Sequence, residues 1–266
     1  MRLAVVHSVS AEIEPTPCET TTRPARPPLR PYVVGYASFS SGPGRPPRRR
    51  VLPLGLTTLI IDFTGTGRVV TGPRATTVIY EEVGWRHGVS VGLTPAGVRA
   101  LLGMPTRELT GAITDLGDVL GPRAGRLAER LAEAPDWPAR FALLDETFTA
   151  WLNPTPQGLV PRAWWRLQES AGRLTIGGLA DELAVSRRHL ELGFQKEIGL
   201  PPKTIARIAR FQDAVRALSS PAATLASAVA CGYADQPHLG REIRAMTGMT
   251  PGQLFAFVQD GIRHAG

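Results

Sequence analysis

GLADELAVSRRHLELGFQKEIG occupies residues 178–199 and LASAVACGYADQPHLGREIRAMTG residues 225–248, and the two stretches follow one plan. In the first, Leu179 and Leu183 make an apolar stripe at helical spacing, Ser186 is a suitable N-cap, and Leu190 with Phe194 starts a second stripe. In the second, Leu225 and Val229 make the stripe, Gly232 supplies a turn, Asp235 caps, and Leu239, Ile243 and Met246 follow. Two short helices that cross at a small residue, Ala180 or Ala228, over a turn of a few residues predict a helix-turn-helix. The chain carries that plan twice.

Because successive residues of a helix are about 100° apart, side chains opposite the buried stripe face outward. In the first recognition helix these are Arg188, Leu192 and Gln195, with Arg187 at its start; in the second they are Pro237, Arg241 and Arg244, with Gln236 at the leading edge. Arg matches guanine O6 and N7, and Gln matches adenine N6 and N7, so these side chains suit the major groove. For any one Arg a phosphate is an equal alternative. His189 and His238 point sideways and read as packing or phosphate-contacting residues rather than metal ligands. Between the units, Pro201-Pro202 opens a helix from Lys203 to Leu218 with Ile205, Ile208, Phe211, Val215 and Leu218 on one side. A rigid spacer of about 24 Å suits two recognition helices about 34 Å apart on successive groove faces.

On LADELAVSRRHLELGFQKEIGLPPKTIARI and GYADQPHLGREIRAMTGMTP, residues of roughly 160 to 260 resemble the DNA-binding domain of the AraC/XylS family of transcriptional regulators. The resemblance implies two helix-turn-helix units joined by a long helix, with Arg188, Glu191 and Leu192 facing the groove in the first and Gln236, Pro237 and Arg241 in the second. Leu192 and Gly193 stand where family members usually carry at least one Arg, and Ser227 takes a usually aliphatic position. Leu192 suits a thymine methyl and Glu191 a cytosine N4. Gly inside a helix costs about 1 kcal/mol relative to Ala, so Gly193→Ala is expected to stabilise this region by about 0.5 to 1 kcal/mol, the alternative being that Gly193 admits a close neighbour, DNA backbone or another helix, on which a methyl would clash.

Upstream, YVVGYASF, VLPLGLTTLIIDF, TTVIYEEV and HGVSVGL are β-branched and aromatic runs punctuated by Gly and Pro. Residues 32–93 therefore predict a small β layer or barrel. From Thr94 the pattern turns helical, with a short helix in PAGVRALLG and Phe141, Leu144, Phe148 and Leu152 on one helical face. The fold class is α+β: a small β layer or barrel with trailing helices, then an all-α region with two helix-turn-helix units joined by a long helix. Asn153-Pro154-Thr155-Pro156 marks a boundary. The expected division is a flexible Pro/Arg-rich tail over 1–31, a sensing or dimerisation domain over 32–155, and the DNA-binding domain over 156–266.

Family resemblance implies an effector-binding or dimerisation role for the N-terminal half. A pocket of Tyr80, Trp85 and His87 is the candidate effector site, and ordinary packing of the three is the alternative. With only His7 and His87 in this half, a cupin-type metal site is not expected, and neither a metal nor a cofactor is assigned. Cys18 has no nearby His and no GxSxG elbow occurs, so a nucleophilic enzyme is disfavoured. Asp62, Glu81 and Glu82 read as solvated strand-end carboxylates. No catalytic residue is assigned, and the competing reading is an enzyme with an accessory DNA-binding module.

The rest of the composition fits a regulator. The 266 residues carry 30 basic against 23 acidic side chains, a net charge of +7, and only Lys196 and Lys203 among the cations are lysines. That excess sits at the two ends: residues 1–53 and 159–266 are net basic and 54–158 net acidic. Acidic partners fit this balance, as does the codon bias of a GC-rich genome. Arg48-Arg49-Arg50 reads as a solvated run in a Pro-rich loop. Cys18 and Cys231 form no CxxC and read as free thiols. No apolar run approaches the roughly 18 residues of a membrane span, and no secretory leader opens the chain, so the cytoplasm is the expected address. Double-stranded promoter DNA is the expected partner, with a small-molecule effector and RNA polymerase as candidates; the oligomeric state stays open.

Overall fold

The computed structural model describes residues 7–11, 18–41, 48–64, 67–80, 85–154, 158–220 and 222–263. Its strands are β1 (Ser8–Ser10), β2 (Cys18–Glu19), β3 (Thr22–Arg23), β4 (Val33–Ser41), β5 (Arg49–Val51), β6 (Thr57–Asp62), β7 (Arg68–Thr71), β8 (Val78–Tyr80), β9 (His87–Leu93) and β10 (Ile113–Asp115). The main sheet runs β10-β7-β6-β9-β4-β2, with β3 also on β4, and a small sheet runs β1-β5-β8; every pairing is antiparallel. All six residues of β6 are buried because both of its faces are covered. Leu59 and Ile61 meet the helices, while Ile60 meets Val51 and Trp85 on the other side. That double cover is why its apolar run does not alternate.

The run over residues 51–63 holds the end of β5 and the whole of β6. After Val51 the chain passes through Pro53, which has no N–H for a ladder, exchanges backbone hydrogen bonds between Leu54 and Arg74 (2.9 and 3.0 Å), and re-enters as β6. Helices then follow: α1 (Pro95–Gly97), continued by a π turn over Val98–Leu102, α2 (Leu116–Leu120), α3 (Pro122–Glu133) and α4 (Trp137–Trp151). Phe141, Leu144 and Phe148 of α4 pack in one cluster with Leu59, Ile61, Val89 and Val91 of the sheet, as their spacing predicted, and Leu152 is half-buried behind them.

The flexible tail expected over 1–31 is corrected for residues 18–31. Here β2 and β3 pair with β4, and Ala25 and Leu29 are buried. The fastening is Asp145 of α4, a fully buried carboxylate that needs donors. It accepts from Arg23 Nη2 at 2.9 Å, from the Arg26 backbone at 3.1 Å and from the Tyr36 hydroxyl at 2.9 Å, and Arg26 Nε lies 3.3 Å away. Burial beside Asp145 pushes the Tyr36 phenol well up, so it stays a donor. Arg48-Arg49-Arg50 is likewise no solvated loop: Arg49 and Arg50 belong to β5, all three are half-buried, and the Arg50 guanidinium lies 5.2 Å from the centre of the Phe257 ring.

The C-terminal region consists of α5 (Leu159–Glu169), α6 (Ile176–Glu182), α7 (Arg187–Glu197), α8 (Pro202–Leu218), α9 (Leu225–Val229), α10 (Gln236–Thr247) and α11 (Pro251–Arg263). Its core gathers Trp164, Leu179, Leu190, Phe194, Phe211 and Ile243, and it also takes in Val9, Leu52, Leu54 and Leu56 from the N-terminal half. Two buried donors close this seam: Trp164 Nε1 donates to the Gly55 carbonyl at 3.1 Å and Gln212 Nε2 to the Pro53 carbonyl at 2.8 Å.

Candidate nucleic-acid interface

The first helix pair is α6 and α7. Thr175 caps α6 by accepting from Gly178 N at 3.0 Å, and Ser186 caps α7 by accepting from His189 N at 3.1 Å. Ala180 is buried where the helices cross, and Ala184 makes the turn at φ +53°, a left-handed conformation that favours glycine. The second pair, α9 and α10, repeats the arrangement with Ala228 at the crossing, Gly232 in the turn at φ +101°, and Asp235 Oδ1 accepting from His238 N at 2.6 Å. Ser227 is explained by chemistry rather than packing: it and Thr224 cap α9 reciprocally, each side chain accepting from the other's backbone N–H at 3.3 Å.

The inward stripes are those expected. Leu190 and Phe194 of α7, and Leu239, Ile243 and Met246 of α10, are buried. Arg187, Arg188, Leu192 and Gln195 are exposed on α7, as are Gln236, Pro237, Arg241 and Arg244 on α10. Leu192, 61% exposed, is a large apolar side chain with no packing role that would hold it there. Glu191 is half-buried and ion-paired with Arg187 at 2.9 Å, so these two partly cancel. Arg188, Arg241 and Arg244 make no ion pair among the described residues, which leaves three full charges for an external anion. Ser186, Arg188, His189, Leu192, Gly193 and Lys196 line a shallow groove of about 400 Å³. His189 is an exposed part of that lining, and His238 packs edge-on to Tyr233 at 5.4 Å.

Gly193 has its close neighbour in another helix. A Cβ there would stand 3.0 Å from Val160 Cγ2, and Val160 is buried in α5. Gly193 admits a neighbouring helix, so Ala brings crowding along with its better helix propensity.

Several residues that position the interface escape a sequence reading. Arg207 of α8 holds Glu242 of α10 with two bonds, 2.8 and 3.2 Å, and Arg166 of α5 holds Glu182 of α6 at 2.5 and 3.2 Å. The N-terminal half also reaches the C-terminal ends of both recognition helices, where carbonyls lack intrahelical donors. Arg107 Nη1 donates to the Lys196 carbonyl at 2.9 Å, Thr110 Oγ1 to the Ile198 carbonyl at 2.5 Å, and Thr77 N to the Met246 carbonyl at 2.8 Å. Gly199, at φ +80°, permits the first approach: an added Cβ would lie 3.3 Å from Arg107 Cα. No spacing rule links residues 107 and 110 to 196 and 198.

The three candidate effector residues do not converge. Tyr80 and Trp85 are neighbours, with ring centres 6.0 Å apart, but His87 lies with Phe63 and Trp137, each 5.4 Å away, and meets Ser40 Oγ at 3.3 Å. Burial and Arg140 push the His87 imidazole below its usual range, with Asp62 opposing. Asp62 is buried rather than solvated; it accepts from the backbone of Thr64, Arg86 and His87 at 2.7, 2.7 and 3.1 Å and so folds its two loops together. Glu81 and Glu82 lie outside the described residues. Both cysteines are free: Cys18 is half-buried, and Cys231 is buried, its thiol pushed up to about 11 by burial and Asp213. Among the described residues no group of His, Cys, Asp and Glu could hold a metal ion, and no helix is long and apolar enough to cross a membrane.

A family model described as a helix-turn-helix domain matches residues 179–256, the span from α6 into α11. No curated protein matches the chain. Among solved structures, a single-residue variant of ToxT from Vibrio cholerae, in its apo form, is similar with a TM-score of 0.47 at 8% identity, over 94% of this chain and 96% of that one. ToxT from Vibrio cholerae O395 is similar with a TM-score of 0.44 at 11% identity, over 95% and 96%.

Proposed function

We propose that the chain is a DNA-binding transcription regulator of the AraC type and that it reads two adjacent major-groove segments, one with each recognition helix, a reading supported by the helix-turn-helix model that matches residues 179–256. The observation that carries this reading is the recurrence of one capped helix pair, with Arg188 on the first outer face and Arg241 and Arg244 on the second, at the two ends of α8. Seventeen residues of α8 span about 25 Å, and the flanking turns add the rest of the roughly 34 Å between successive groove faces. Base readout falls to Arg188, Glu191, Leu192 and Gln195 in α7 and to Gln236, Pro237, Arg241 and Arg244 in α10; Arg187, paired with Glu191, contributes to phosphate attraction.

The division is a sensing or association domain up to residue 155 and the DNA-binding domain over 156–266. Its partners are promoter DNA, a small-molecule effector at the N-terminal half and RNA polymerase, and its place is the cytoplasm. Hydroxyl-radical footprinting of the full chain on genomic promoter fragments tests the reading. Two protected patches about 10 base pairs apart are expected. A single patch that Arg241→Ala leaves intact would remove the second unit from the account.

A further inference from the structure

Arg74 is only 4% exposed, and among the described residues no carboxylate balances its charge. It follows β7, its backbone is tied to Leu54, and its Nη2 donates to the Ala112 carbonyl at 3.1 Å. Its Nε has no acceptor, and no carboxylate pairs with it among the described residues. A guanidinium cannot shed its proton at any working pH. A fixed charge taken out of water and left without a counter-charge is among the costliest arrangements a fold can hold.

Among the described residues the charged neighbours add positive potential. Arg49, half-buried in β5, lies opposite Tyr80 in register. Both Arg74 and Arg49 act on His7, whose imidazole is pushed down to about 3 by burial first and by these two cations next. His7 therefore stays neutral and adds no second buried cation. Its Nε2 sits 3.1 Å from Thr71 Oγ1, and its ring is 6.0 Å from Trp85. Tyr80 faces Arg74, and burial pushes its phenol up, so its hydroxyl remains protonated. Trp85, with Val51 and Ile60 behind it and Tyr80 beside it, supplies an apolar wall.

We propose that the seam lined by His7, Arg49, Thr71, Arg74, Tyr80 and Trp85 binds a small organic anion, its carboxylate or phosphate on Arg74 and Arg49 and its apolar part against Trp85 and Tyr80. This deepens, and rests on, the reading of the N-terminal half as an effector-sensing domain; it gives that effector a charge. It also relocates the site, since His87 takes no part. The anion supplies the missing counter-charge, and the hydroxyls of Tyr80 and Thr71 are donors for its remaining oxygens.

The test uses the full chain in chloride buffer at constant ionic strength, titrated with sodium benzoate, phenyl phosphate or inorganic phosphate, and with benzamide as the neutral shape control. Thermal unfolding and Trp fluorescence are the readouts. A saturable rise in Tm with benzoate or with phenyl phosphate is expected, and none with benzamide; the stronger of the two arms identifies the anionic group. Arg74→Met and Arg49→Met should each weaken that binding by about 10-fold or more, the scale of one lost charge-assisted contact. Without ligand, Arg74→Met should melt at or above the temperature of the parent chain, because it removes an unbalanced charge while keeping a buried apolar stem. An Arg74→Met variant that melts several degrees lower, or a response to the anions that is unsaturable or unchanged in Arg74→Met, overturns the site. Operator affinity separates this from the broader reading: if only neutral small molecules shift it, the anion site fails and effector sensing stands. If anions bind as described and no small molecule shifts operator affinity, effector sensing fails and the anion site stands.

Discussion

At the scale of single residues, Gly193 shows why a propensity argument needs its neighbour. Ala gains about 1 kcal/mol over Gly in a helix interior, but overpacking a filled site costs about 1 to 3 kcal/mol. With Val160 Cγ2 at 3.0 Å from the new methyl, crowding is the larger effect. Gly193→Ala is expected to lower stability in urea unfolding by up to about 2 kcal/mol, and Val160→Ala in the same chain should recover part of that loss. A stabilised single variant would mean that α5 yields without strain.

His7 makes a second residue-scale prediction, and its sign follows from burial. The folded chain keeps this imidazole neutral down to about pH 3, whereas the unfolded chain takes up a proton near 6.5. Its contribution to stability is therefore complete above about pH 6.5 and is lost progressively as the pH falls towards 3. Comparing the pH dependence of unfolding in the parent and in His7→Gln should show a flatter acid limb in the variant. Parallel limbs would mean that His7 is open to water in the folded state.

For the elements, the two recognition helices are equal in cap and in buried stripe but not in outward chemistry. The first spends Arg187 on Glu191 and presents Leu192, while the second keeps Arg241 and Arg244 unpaired among the described residues. Arg241→Ala is therefore expected to relax base preference more than Arg188→Ala, by about 1 to 3 kcal/mol at one base position, in competition against single-base operator variants. The reverse order would make the first helix the principal reader. Everything in these elements that repeats locally was legible in the sequence: the stripes, the caps Ser186 and Asp235, the crossing Ala residues and the turn at Gly232. What was not legible lies between elements. Arg207 with Glu242, and Arg107 and Thr110 at the end of α7, are contacts between segments far apart in the chain, and nothing in local periodicity encodes them. The N-terminal strands failed for a related reason. The short β2, β3 and β10 have too few residues for alternation to register, and a Pro-rich stretch concealed an arm held by Asp145.

Across the whole molecule, the two halves share hydrogen bonds and a common core. Electrostatic attraction to DNA should still follow counterion release: the full chain's affinity should fall with salt, each phosphate contact adding about −0.9 to the log-log slope. Salt-independent binding would contradict a phosphate-contacting surface. Because Arg107 and Thr110 cap α7 from outside the DNA-binding region, Arg107→Ala with Thr110→Val should cost about 1 to 3 kcal/mol of stability, the usual worth of two lost hydrogen bonds. The same pair should weaken operator binding by the full chain if the N-terminal half sets the angle of the first reader.

Trp164 gives this seam an optical signature. Its indole is fully buried and its N–H is spent on the Gly55 carbonyl, so it should emit at short wavelength while the halves stay joined. Were promoter DNA or a ligand to part them, water would reach the ring and the emission would move to the red, with Trp165 edge-on at 5.1 Å responding alongside. A chain with Trp85, Trp137 and Trp151 replaced by Phe would then report the opening of the seam from its own fluorescence, with no dye attached.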